Sequence, residues 1–165
     1  EFMVKFTYQL IIFGFLFGCS NLEFVYNNVS DNNKIKDKTL LAISGDDTEI
    51  FYSYAINKIK NNEKNSLYKL SIVSTKTVEA IVVEKDATAS KFNIKLNIFY
   101  KLLNTDKNCL ILEKNFMTNS TYDSKSAGYS FGTDLSEKEV LTQAIHSNFD
   151  EFLLYLKGFD DKLNC

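Results

Sequence analysis

The chain has 165 residues, of which 45% are hydrophobic and 24% charged, enough for one domain with a workable core and little room for a second. Nineteen Lys and no Arg face 21 acidic residues, so the formal charge of -2 argues against a dedicated nucleic-acid binder. Without Arg, any phosphate the chain meets has to be held by Lys point charges, backbone amides or hydroxyls.

Glu1 and Phe2 precede Met3 and read as an added scar or an extended reading frame, and Lys5 then supplies a positive flank. The stretch from Phe6 to Gly18 is largely apolar but too short for the roughly 20 residues that cross a bilayer as a helix. It fits the apolar region of a signal peptide, which the sequence "LFGC" (Leu16 to Cys19) closes. That ending resembles a bacterial lipobox, with Leu16, Gly18 and Cys19 in place and Phe17 departing from the pattern. In such a motif the cysteine receives a diacylglycerol and becomes the first residue after cleavage. A plain secretory signal or an uncleaved anchor competes with this reading. A plain site wants two small residues, and Leu16-Phe17-Gly18 offers one. Residues 1–18 are therefore expected to be a lipoprotein signal peptide, with lipid attachment at Cys19.

Residues 19–38 are polar and Asn-rich and read as a tether, with Phe24 and Tyr26 able to dock on the domain that follows at 39–165. "TLLAISG" (Thr39 to Gly45) reads as a strand. Asp46-Asp47-Thr48 then offers caps for a helix over Glu49 to Asn61, whose Phe51, Ala55 and Ile59 fall on one face. Tyr68, Leu70 and Ile72 open a β-rich stretch that runs to Val83.

In "KFNIKLNIFYKLL" the residues Phe92, Ile94, Leu96, Ile98, Tyr100 and Leu102 take one face, and Lys91, Asn93, Lys95, Asn97 and Lys101 the other. Such alternation predicts a sheet buried on one side and solvated or partner-covered on its Lys/Asn side. From that alternation alone, Lys91, Lys95 and Lys101 are the candidate contacts for an anionic lipid head group or a partner protein.

Asn104 to Asn108 reads as a hairpin turn, and a fourth strand returns over "CLILEKNFMTNSTY". Asp123 to Gly132 looks like a loop. Ser136 and Glu139 then match a capping box, starting a helix with Leu141, Ala144, Ile145, Phe149, Phe152, Leu153 and Leu156 on its apolar face and Gly158 at its end. The expected fold is α+β: a two-layer sandwich in which a mixed sheet of about four strands carries two helices on one face.

Catalytic signatures are missing from this pattern. There is no G-x-S-x-G, P-loop or metal-spaced motif, and His146, the single histidine, has no nucleophile tied to it by spacing. The carboxylates Glu137, Glu139, Asp150 and Glu151 are explained as solvated helix residues. With Cys19 lipidated, Cys109 and Cys165 remain, either as a disulfide or as a strand hydrophobe and a free thiol.

With a lipobox cysteine, "TLLAIS" leading to a helix, three β-rich segments and the closing block "TYDSKSAGYSFGTDLSEKEVLTQAIHSNFDEFLLYL", the chain resembles the LPS-assembly lipoprotein LptE family. Val140 and Thr142 depart from the Ala found there in other members. The resemblance implies a non-enzymatic protein of the outer membrane, lipid-anchored on the periplasmic side, with no cofactor beyond the lipid on Cys19. Such proteins plug the LptD β-barrel, help it assemble and assist delivery of lipopolysaccharide. The rivals are a lipoprotein subunit of another envelope lipid-transport or barrel-assembly machine, and a small periplasmic enzyme relying on His146.

Overall fold

The computed structural model describes residues 34–61, 64, 66–85, 89–124, 130–159 and 163. Phe24, Tyr26 and the lipid site Cys19 lie outside these residues, as does Cys165. In chain order the elements are β1 (Thr39–Gly45), α1 (Thr48–Ile59), β2 (Tyr68–Val83), β3 (Ala89–Asn104), β4 (Cys109–Asp123) and α2 (Ser130–Lys157). The strands form one sheet in the order β1-β2-β3-β4. β1 and β2 are parallel, and a parallel pair needs a crossover, which α1 supplies. β2, β3 and β4 follow as antiparallel neighbours, giving the mixed α+β sheet expected from the sequence.

Period-2 alternation decides which side of the sheet meets the helices. Leu70, Ile72, Ile94, Leu96, Ile98, Tyr100, Leu102, Leu112 and Phe116 are buried, together with Phe51, Ala55 and Ile59 of α1 and Leu141, Ile145, Phe149, Phe152 and Leu156 of α2. At the centre the Tyr100 ring stacks on Phe152, with centroids 4.1 Å apart, and Phe116 meets Tyr100 edge-on at 5.8 Å. The core also takes in Ile35, fully buried four residues before β1, where the Asp37 N–H donates to the Ile59 carbonyl at 2.8 Å.

Three details of helix entry and exit differ from the sequence expectation. Asp47 precedes α1 with φ 54 and makes no side-chain capping bond; its carboxylate turns instead to Lys76. α2 starts at Ser130, so Ser136 lies inside the helix and its spacing to Glu139 marks no boundary. Gly158 leaves α2 through a tight turn, its N–H donating to the Tyr155 carbonyl at 3.1 Å, and has no left-handed φ. Gly45 does require glycine: its φ is 96, and a Cβ there would overlap the Ser74 carbonyl oxygen.

Candidate functional site

Among the described residues, the sheet face turned away from the helices is the extended patterned surface. Along β3 it presents Lys91, Asn93, Lys95, Asn97, Phe99 and Lys101, and no residue on this side of β2, β3 or β4 is buried. All three lysines singled out from the sequence lie here, on the expected face. Strand register brings their partners beside them. Lys101 stands opposite Glu113, with Nζ 4.0 Å from the carboxylate, and Lys91 opposite Asp123 at 3.9 Å. Lys95 stands opposite Thr77 and reaches diagonally to Glu79 at 2.7 Å.

Each lysine therefore faces a carboxylate across the sheet, and its side chain is 41–45% exposed. Cross-strand pairs of this kind contribute about 0.2–1 kcal/mol each, so they set charge pattern more than stability. With Lys69, four lysines on this face meet three carboxylates, and the field above it is close to neutral. Reading β3 alone made the stripe look basic; Glu79, Glu113 and Asp123 sit on neighbouring strands and enter only through the register. The register also groups an apolar strip: Val73 lies opposite Phe99, and Met117, 67% exposed, lies opposite Asn97. Asn115 and Asn119 of β4 complete the amide-rich surround.

His146 occupies a different place, the seam between α1 and α2. Its ring stacks on Tyr54, centroids 3.7 Å apart and 13° from parallel. The Tyr54 hydroxyl donates to Asp150 Oδ2 at 2.8 Å, and Lys58 Nζ lies 3.3 Å from Asp150 Oδ1. Burial lowers the His146 pKa below its ordinary value; Asp150 opposes that shift and Lys58 adds to it. Burial and the bond to Asp150 raise the Tyr54 phenol. The ring stack and the Tyr54–Asp150–Lys58 contacts join α1 to α2 at this seam.

A second polar bridge ties the layers together from the helix side of the sheet. Lys76 Nζ of β2 sits between Asp47 at 3.2 Å and Glu137 at 3.5 Å. The Tyr122 hydroxyl donates to Glu137 Oε2 at 3.1 Å, and burial, with that carboxylate beside it, pushes the phenol up to about 12. Among the described residues no three metal-ligating side chains come together, and no helix is long and apolar enough to cross a membrane.

The helix-covered sheet with one bare face has counterparts among solved structures. Rare lipoprotein B from Shewanella oneidensis superimposes with a TM-score of 0.53 at 10% identity, over 76% of this chain and 99% of that one. Solved bacterial lipoproteins share this fold. A minor lipoprotein from Acinetobacter baumannii shares it with a TM-score of 0.51 at 12% identity, over 74% of this chain and 94% of that one. Lipoprotein B from Nitrosomonas europaea does so at 0.51 and 11%, over 72% and 84%. At these identities the likeness is one of fold. No protein-family model matches the sequence, and no curated protein matches it either.

Proposed function

We propose that the chain is a lipid-anchored envelope protein, tethered through Cys19 on the periplasmic side of the outer membrane. In this reading it works without catalysis, as plug and assembly partner of an LptD-type β-barrel in lipopolysaccharide transport. The observation that carries the reading is the bare, amide-rich sheet face on a chain whose sequence holds "LFGC" and whose fold solved lipoproteins share. Three of its four lysines are matched by carboxylates, so the face suits a polar protein wall better than a free anionic head group. A head group would have to displace Glu79, Glu113 or Asp123 first. Asn93, Asn97, Asn115 and Asn119 can donate and accept along the inward-facing polar side of a barrel, while Val73, Phe99 and Met117 give an apolar centre. Lys91, Lys95 and Lys101 then serve as partner contacts that set register, with specificity rather than affinity as their contribution.

Two measurements test this. Metabolic labelling with a clickable fatty acid should mark the wild-type chain and leave Cys19→Ala unlabelled; labelling that survives the substitution removes the anchor. Affinity purification from detergent-solubilised outer membrane should recover a large β-barrel. Recovery with a different envelope assembly favours a subunit of another transport or barrel-assembly machine, and recovery with no membrane protein sinks the partner reading.

A further inference from the structure

Beyond α2, Phe159 packs against the core and Leu163 is part of it. Gly158 and Phe159 donate to the Tyr155 and Leu156 carbonyls, and the Phe159 ring lies 5.1 Å from that of Tyr155. Leu163 is then buried, with its carbonyl oxygen 3.4 Å from Asn104 Nδ2. Asn104 is the last residue of β3, and its cross-strand partner is Cys109, the first residue of β4. Opposite residues in an antiparallel pair lie about 5 Å apart and turn their side chains to the same face. The Cys109 thiol position therefore looks toward the side of the sheet on which Leu163 is held. Cys109 is disulfide-bonded, and the chain's other cysteines are Cys19 and Cys165.

We propose that Cys165 is the partner, and that the Cys109–Cys165 bond locks the C-terminal segment across the hairpin end of the core. Cys165 is two positions beyond Leu163 in sequence, a reach of about 7 Å, while a disulfide needs its Cα atoms about 4.4–6.8 Å apart. Cys19 stands fifteen residues before Lys34, the first described position, so its encounter with Cys109 closes a much longer free loop and is entropically poorer. Where Cys19 carries the lipid thioether, as in the lipoprotein reading, its sulfur is already occupied, so this second argument rests on that reading and the first does not.

Closure converts two thiols into one S–S bond. The two electrons and two protons pass to a disulfide-bearing oxidant, whose own S–S bond becomes a dithiol. The resulting ring runs from Cys109 through β4 and α2 to the tail, fastening the outer edge strand to the helix that covers it. It also requires an oxidising compartment, so a thiol–disulfide oxidoreductase of the envelope is the implied maturation partner.

The test is peptide mapping of the full chain, isolated from its host envelope without reductant and alkylated on lysis. The expected product, from a species migrating as a single chain, is a peptide containing Cys109 linked to one containing Cys165. It separates on reduction and is lost in Cys165→Ser, in which Cys109 becomes alkylated. Cys109 alkylated in the wild type without reduction, linked to Cys19, or linked to a second chain overturns the proposal. Fatty-acid labelling keeps the two readings apart. A labelled Cys19 with a free Cys109 sinks the clamp alone, and an unlabelled Cys19 with the 109–165 link sinks the anchor alone.

Discussion

Asn148 of α2 is fully buried, and its amide is used at both ends. It accepts from the Tyr100 hydroxyl at 2.8 Å and donates to Thr118 Oγ1 at 2.8 Å, joining the helix to β3 and β4. Asn148→Ala strands the Tyr100 hydroxyl in the aromatic core and should cost about 1–3 kcal/mol in urea denaturation. Tyr100→Phe removes the stranded group, so the double variant should lose less than the sum of the two single losses.

His146 carries a pH prediction at the same scale. Its folded pKa is lowered, so the unfolded chain takes up the proton first. The contribution is intact above the unfolded value of about 6.5 and is lost as pH falls through it toward the folded pKa. Thermal midpoints should therefore decline more steeply below that pH in the wild type than in His146→Phe, which keeps a ring on Tyr54 and removes the titration. Equal slopes would show that the seam does not feel the imidazole charge.

At the scale of elements, β2 outruns its neighbour. β1 ends at Gly45 opposite Ser74, and the Asp46 carboxylate takes the Lys76 N–H at 2.7 Å, closing the ladder there. From Thr77 to Val83 the outer edge of β2 has no strand beside it among the described residues, and Val78, Ile81, Val82 and Val83 are exposed. Such an edge is prone to pair with other chains, and Glu79 is the charge within this segment that opposes it. Val82→Lys should raise the concentration at which heated protein begins to scatter light, with little change in unfolding midpoint.

The chain order of the elements and both helix faces were legible in the sequence because alternation at β3 and the i, i+4 spacing of Phe51, Ala55 and Ile59 each follow one short-range period. The start of α2 was not. Ser136 and Glu139 satisfy a local pattern equally well inside a helix, and nothing in Ser130 to Asp134 announces the earlier turn. The lysine stripe was visible, but its charge balance was not, because Glu79, Glu113 and Asp123 come beside it through pairings of residues 12 to 32 positions apart. The seam partners of His146 lie on a helix some ninety positions away, Tyr54 and Asp150 being 96 apart.

For the whole molecule, two faces divide the work. The helix side is closed by a continuous aromatic and aliphatic core and tied by Lys76, Glu137 and Tyr122. The other side is a sheet surface on which three of four lysines face carboxylates. A face with nearly balanced charge and a small apolar centre suits cover by protein, which is what the proposed plug within a barrel needs. The direct test is site-specific photo-crosslinking in the native envelope, with the photoreactive residue at Met117 on the bare face and, separately, at Glu151 on the outer side of α2. The account predicts that Met117 captures one large β-barrel and Glu151 captures it weakly or not at all. Capture from Glu151 alone, or no large membrane protein from Met117, would contradict it.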